Sequence, residues 1–275
     1  MRLIDLRHLG RERVIGSWLV GDVLVDPGPE SCMQTLLSEL RGDEVRVIAL
    51  THIHLDHAGA TGALMRRFPD AEVWVHEIGA KHLIDPTRLL ASAKRLYGED
   101  MGRLWGEVAP VPAERVRALS GGEEIGGFRV AYTPGHASHH VCYLHESSGT
   151  AFCGDIAGVR ITVEAPVLAP TPPPDIDLTA WRSSLRTVAA WHPQALVLTH
   201  FGRYADVGAH LTAVADSLQM LERLAEKDDE ALFEAALQQR MKPLPADLQA
   251  VYAQAMPLDQ TFVGLRRWLT RNAGG

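Results

Sequence analysis

The chain has 275 residues, 46% of them apolar, which allows one large domain or two small ones around a substantial core. Its net charge is −7 with histidines neutral and no long Lys/Arg tract runs through it, so nothing short of a local basic patch would suit nucleic acid. The three cysteines, Cys32, Cys142 and Cys153, are few, odd in number and widely spaced, which suggests reduced thiols in a cytoplasmic chain rather than a disulfide framework.

The charged start, Met1-Arg2-Leu3-Ile4-Asp5, lacks the apolar region of a signal peptide. No apolar run nears the ~20 residues that span a bilayer. The first elements read as paired strands. Residues 14–20 and 23–25 flank Gly21-Asp22, a turn pair, and Asp26-Pro27-Gly28 ends the second strand. Residues 31–41 suit a short helix. The apolar run 45–50 reads as a buried strand. It delivers Thr51-His52-Ile53-His54-Leu55-Asp56-His57, three histidines and one aspartate within six residues. Neutral imidazole and carboxylate are the usual ligands of zinc and similar divalent ions.

Residues 58–68 read as a helix leaving that cluster, and 73–75 as another strand. Between about 78 and 107 the rhythm breaks. Leu83, Leu89, Leu90, Leu96, Met101 and Leu104 stand in a largely helical stretch with Arg and Lys between them. Two readings stay open: an insertion that covers a metal cleft, and helices that only pack. Strands resume at 129–132, 141–144 and 150–152. Cys153 lies two residues before Asp155, so on a strand the two would share a face; a small buried core residue is the plainer reading of Cys153.

One cluster cannot complete two metal shells. Three further candidates each follow a strand-like run: His136 in Thr133-Pro134-Gly135-His136, Asp155 in Phe152-Cys153-Gly154-Asp155, and His200 in Leu196-Val197-Leu198-Thr199-His200. Residues 166–174 hold five prolines in nine positions, which rules out regular helix and removes sheet donors. This run is expected to border the site as a stiff loop. Residues 179–191 read as a helix capped by Asp177 or Thr179. From 206 to 272 the chain is strongly helical, with breaks near Asp228-Asp229, 243–245 and Pro257.

This ordered set, over residues 14–204, resembles the metallo-β-lactamase-fold hydrolase superfamily, and within it the hydroxyacylglutathione hydrolase (glyoxalase II)-like group. The resemblance implies a four-layer αββα sandwich, class α/β, with a helical insertion at about 78–107. It implies a catalytic domain over 1–204 and a C-terminal helical region over 205–275. In the family pattern His52, His54 and His136 hold one metal, Asp56, His57 and His200 hold the second, and Asp155 bridges both. Two divalent ions are implied, zinc first, with iron or manganese as alternatives. Asp26 resembles the family's structural aspartate beside the metal loop. His140 reads as a buried hydrogen-bonding residue, and His139 has no assignable role. His76, His82, His145, His192 and His210 read as surface or packing residues.

The resemblance also implies a mechanism. A metal-bridging hydroxide, oriented by Asp56, attacks a thioester or ester carbonyl while the ions hold the developing oxyanion. Arg160, Arg203 and Tyr204 are candidates for binding a substrate anion. True metallo-β-lactamases usually lack the bridging aspartate, and nuclease members usually carry extra domains or a basic exosite. Residues 156–160, Ile-Ala-Gly-Val-Arg, lack the tyrosine that signal lactonases often place there, which weakens a lactonase reading without removing it. Intact His54 disfavours the diiron electron-transfer members. A mononuclear-iron persulfide dioxygenase, a phosphodiesterase and an inactive binding scaffold complete the alternatives. The expected partner is a small-molecule substrate, with no nucleic acid and no membrane; a homodimer stays open.

Overall fold

A computed structural model describes residues 1–272. The first of two sheets runs β1 (Arg2–Asp5), β2 (Gly16–Val20), β3 (Val23–Val25), β4 (Val47–Ala49), β5 (Glu72–His76) and β6 (Val116–Leu119), each paired with the next. Its first three strands are antiparallel, and β3 to β6 are parallel. The second sheet holds β7 (Glu124–Ile125), β8 (Phe128–Tyr132), β9 (Val141–His145), β10 (Thr150–Phe152), β11 (Ala195–Leu198) and β12 (Gly202–Tyr204), again in sequence order. Only β10 and β11 pair in parallel there.

Alternation along the strands explains how the sheets stack. On β4 and β5, Ala49 and Trp74 face the second sheet, while Ile48, Val73 and Val75 face outward. On β9 and β11, Tyr143 and Val197 face inward, while Cys142, Leu196 and Leu198 face outward. Both faces are buried, so the strands read as near-continuous apolar runs. Helices cover the outer faces, giving an α/β sandwich of mixed sheets flanked by helices. They are α1 (Met33–Glu39), α2 (Leu55–Ala58), α3 (Thr61–Leu64), α4 (Glu77–Ile84), α5 (Thr87–Tyr97), α6 (Met101–Trp105), α7 (Leu178–Ala190) and then α8 (Val207–Ala225), α9 (Glu230–Met241), α10 (Ala246–Ala255) and α11 (Leu258–Asn272).

Most expected elements form, with local differences. The helix expected over 58–68 is helical only over α3, after a separate short α2 that ends at Ala58; between them the Ala60 N–H turns away to the Gly28 carbonyl, 2.8 Å off. The short strands β1, β6, β7 and β12 carry too little alternation to stand out in sequence. Asp177 rather than Thr179 caps α7, accepting from the N–H groups of Thr179 and Ala180 at 2.9 and 3.0 Å. Asp155 is not on a strand with Cys153: β10 stops at Phe152 and a 3-10 turn, Gly154–Ala157, carries the aspartate. Cys153 is buried in the core, and all three cysteines are free.

The helices after His200 break where the acidic pair and the prolines stand. They are tied to the sandwich by named contacts. Asp206 pairs with Arg160, Ser217 Oγ accepts from Ala169 N–H at 3.0 Å, and Thr171 Oγ1 donates to Thr261 O at 2.9 Å. α11 lies so close to the proline-rich segment that a Cβ on Gly264 would sit 1.9 Å from the Thr171 carbonyl oxygen. The C-terminal helical region expected over 205–275 includes residues 273–275, which lie outside the described residues. No helix among the described residues is long and apolar enough to cross a membrane.

Candidate metal centre

Five connections leave the two sheets at one edge and bring the polar residues together. β3 ends at Asp26, β4 delivers residues 51–57, the β8–β9 connection carries His136, β10 leads to Asp155, and β11 to His200. Their donor atoms form three overlapping groups: His52, His54 and His136; His52, His57 and Asp155; Asp56, His57 and His200. Within each group the atoms lie within 4.8 Å of one another. All seven residues expected from the sequence are therefore in one place.

Asp155 joins the two sides. Its Oδ2 is 3.2 Å from His136 Nε2, and its Oδ1 is 3.3 Å from His57 Nε2 and 3.6 Å from His200 Nε2. On the first side, His54 Nδ1 stands 3.0 Å from His52 Nε2 and 2.9 Å from His136 Nε2. On the second, Asp56 Oδ2 is 3.3 Å from His200 Nε2 and 3.8 Å from His57 Nε2.

This donor set fits divalent ions on three counts. Donors 2.0–2.1 Å from one tetrahedral ion stand roughly 3.3–3.4 Å apart, close to the spacings here. The buried Nε2 atoms of His57 and His200 and Oδ1 of Asp155 have no hydrogen-bond partner, and buried polar atoms seldom lack one. In the first group the protonation states also suit ligation. Burial pushes His52 and His54 below the usual imidazole range and His136 down to about 4, leaving neutral rings. At His57 and His200 burial opposes charge, but the carboxylates of Asp155 and Asp56 outweigh it and raise the pKa, so an ion binding there would displace protons. Burial works against charge on Asp155 too, but His57, His136 and His200 outweigh it and hold the carboxyl well below its usual range.

Outer contacts fix which nitrogen faces inward. His57 Nδ1–H donates to Asp26 at 2.9 Å, His136 Nδ1–H to the Pro170 carbonyl at 2.9 Å, and His200 Nδ1–H to the Val14 carbonyl at 2.6 Å. Each leaves a lone pair on Nε2 aimed at the centre. His140, buried, bonds Thr133 Oγ1 at 2.9 Å through Nδ1.

Above the donors opens a cavity of about 450 Å³. His54, Asp56 and Asp155 lie at its floor. α4, α5 and α6 form one wall, Pro170 and Pro172 to Pro174 another, and residues 253–257 with 260–261 the third. The helical stretch at 78–107 thus does border the cleft, and so does the proline run.

A family model, the metallo-beta-lactamase superfamily, matches residues 12–200. The chain belongs to the metallo-beta-lactamase superfamily. ST1585, a metallo-beta-lactamase fold-containing protein of Sulfurisphaera tokodaii, is 32% identical over 167 residues, 58% of this chain and 62% of that one. The solved structure of ST1585 aligns with 96% of this chain and 97% of that one, at TM-score 0.70 and 21% identity, which speaks for the fold. The hydroxyacylglutathione hydrolase of Thermosynechococcus vestitus is 33% identical over 137 residues, 48% of this chain and 42% of that one. The chain spans less than two thirds of the length of these curated relatives. TTHA1623, solved in a di-iron-bound form, is 26% identical, with TM-score 0.55 over 73% of this chain and 93% of that one.

Three residues expected to meet substrate lie elsewhere in this superfamily member. Arg160 is buried and spent on structure: it donates to Asp206 at 2.9 and 3.0 Å and to the Val163 carbonyl at 2.6 Å, and lies over the Tyr204 ring. Tyr204 is buried there, with its hydroxyl on the Arg160 carbonyl. Arg203 is exposed, and none of the three lines the cavity. Sequence reading missed His8, which lines the cavity, stacks on Trp105 and bonds the Leu104 carbonyl at 2.9 Å. Nothing local marks it, since its partners are about a hundred residues away. His82, read as a surface or packing residue, also lines the cavity.

Proposed function

We propose that the chain is a dinuclear metal-dependent hydrolase of thioesters or esters of a small-molecule substrate. The observation that carries this reading is Asp155, whose two oxygens face two separate donor groups. His52, His54 and His136 would hold one ion, Asp56, His57 and His200 the other, and Asp155 both. Two such ions would supply a hydroxide at neutral pH and Lewis acids for a carbonyl oxygen. Zinc is the expected ion. Iron competes with it, since TTHA1623 takes iron and a mixed His/carboxylate set accepts zinc, iron or manganese according to supply.

The chain's own residues do the rest. Asp56 is the more exposed of the two carboxylates at the cavity floor, its side chain 23% accessible against 5% for Asp155. Burial opposes its charge, but His57 and His200 outweigh this and hold it below the usual carboxylate range. Ionised, it accepts a hydrogen bond from the attacking O–H and turns the oxygen's lone pair toward the carbonyl carbon. The walls limit water around the reacting carbonyl. Because residues 253–261 complete one wall, the proposed catalytic part, 1–204, and helical part, 205–275, act as one unit. The three free cysteines support a reducing, cytoplasmic setting.

The test is a panel on zinc- and manganese-loaded protein: a thioester, an aryl ester, a lactone, a β-lactam and a phosphodiester at equal concentration, with metal counted alongside. Preference for the thioester or ester with about two ions per chain is the expected result. Preference for the phosphodiester overturns the reading. No turnover, with one iron per chain, replaces it with the oxygenase.

A further inference from the structure

We propose that the cavity is an acyl-chain site, so that the substrate is a thioester or ester of an apolar acyl chain rather than of a short hydroxyacid; this rests on the hydrolase reading above. The carbonyl would lie at the floor, against His54, Asp56 and Asp155, and the chain would extend along α5.

The walls argue for it. Leu89, Ala93, Leu96 and Tyr97 stand at i, i+4, i+7 and i+8 of α5 and share one face of that helix. All four line the cavity, joined by Leu104 and Trp105 from α6. A helix face of this kind normally packs on a core. Here it meets chiefly a small cluster whose buried members are Leu55, Ala93 and Trp105; Leu89 also touches the main core, and Leu96 keeps 40% of its surface exposed. Met256 and Pro172 supply apolar surface across the cavity. The volume, about 450 Å³, is in the range that encloses a small ligand.

Charge argues the same way. Among the described residues lining the cavity, Arg88 is the only Lys or Arg, and it is exposed. The anionic groups of a glutathione moiety would find no buried cation to meet them. A polar thiol or alcohol carrier therefore faces outward past Arg88, and the apolar part within is the acyl chain. In the reaction water's oxygen bonds to the acyl carbon. The C–S or C–O bond breaks with its electron pair on the leaving atom. One water proton goes to that atom and the other to solvent, leaving a carboxylate and a thiol or alcohol.

The experiment uses p-nitrophenyl acetate, butyrate, hexanoate and octanoate, with S-lactoylglutathione for comparison, on the metal-loaded full chain. Expected is a kcat/KM that rises two- to fourfold per added methylene, the upper figure being about 0.8 kcal/mol per methylene converted at 1.36 kcal/mol per tenfold. S-Lactoylglutathione should be the poorer thioester beside S-octanoyl-N-acetylcysteamine. Two wall variants, Ala93→Phe and Leu89→Gln, should each lower the octanoate-to-acetate ratio at least tenfold. Independently of turnover, calorimetry should find octanoate bound more tightly than acetate, with a negative heat-capacity change.

The outcomes separate the two proposals. Hydrolysis with a flat chain-length profile, or faster turnover of S-lactoylglutathione, overturns the acyl-chain site and leaves the hydrolase standing. Chain-length-dependent octanoate binding without hydrolysis supports the site and removes the hydrolase. Equal binding of octanoate and acetate overturns the site whatever the turnover.

Discussion

Asp26 Oδ2 lies 2.9 Å from His57 Nδ1, and this contact ties the metal loop to the end of β3. The same carboxylate accepts from the Thr51 N–H at 2.8 Å, the Thr51 hydroxyl at 2.7 Å and the Thr199 hydroxyl at 2.8 Å. One buried side chain therefore positions residues before His52 and His200 and the ring of His57 at once.

Asp26→Ala should lower divalent-metal affinity about 10- to 100-fold, the usual cost of losing a group that orients a ligand. It also strands the donors of Thr51 and Thr199 in the core, at roughly 1–3 kcal/mol for each unsatisfied group. Competition against a chromophoric chelator measures the first effect and denaturant unfolding the second. Unchanged metal affinity would sink the orienting role, even if stability fell.

His200→Ala should remove one ion per chain and about a hundredfold or more of kcat, since a metal supplies several kcal/mol of transition-state stabilisation. The fold should survive, because the Nδ1–H bond to the Val14 carbonyl is the ring's one hydrogen bond and its Nε2 makes none. Elemental analysis with far-UV circular dichroism decides it. Full metal content with full activity contradicts the assignment.

How much of this was legible beforehand follows from how local each signal is. The ligands His52, His54, Asp56 and His57 sit within six residues after an apolar run, so sequence spacing alone marks them. The set of seven was legible as a resemblance. Arg160 was misread because its position five residues after Asp155 says nothing of Asp206, the partner that holds it away from the cavity. His8 was missed for the same reason. Its contacts, with Leu104 and Gln254, are set by packing of the N-terminus against α6 and α10. The break between α2 and α3 was hidden because a backbone bond to Gly28 leaves no trace in side-chain pattern.

His210 should make the protein sensitive to acid. Arg160 Nη1–H donates to its Nδ1 at 3.2 Å, and its Nε2–H donates to the Ala157 carbonyl at 2.8 Å, so the ring is bound in its neutral form. Tyr204 lies against it and Asp206 nearby. Burial lowers its pKa below the ordinary 6.5, opposed in part by the Ala157 carbonyl. The unfolded chain then binds a proton that the folded one refuses. The contribution is present above about 6.5 and is lost as pH falls from there toward the folded value. His210→Asn should flatten the fall of unfolding free energy between pH 7.5 and 5.5. Equal slopes in the two proteins would refute it.

Gly264→Ala should loosen α11 from the cavity wall. The added Cβ would meet the Thr171 carbonyl oxygen at 1.9 Å and the Pro172 carbonyl carbon at 2.9 Å, both backbone atoms that no rotamer can move. Either the helix or the proline-rich segment must shift. Overpacking of this kind costs roughly 1–3 kcal/mol, while glycine to alanine in an exposed helix interior gains up to about 1 kcal/mol. Contact wins, so the variant should melt several degrees lower. Because residues 260–261 and Pro170 to Pro174 form two of the cavity walls, KM should rise more than kcat falls. Differential scanning calorimetry and steady-state kinetics on the preferred ester check both. A variant as stable as the parent, with unchanged KM, would mean that α11 does not hold the wall.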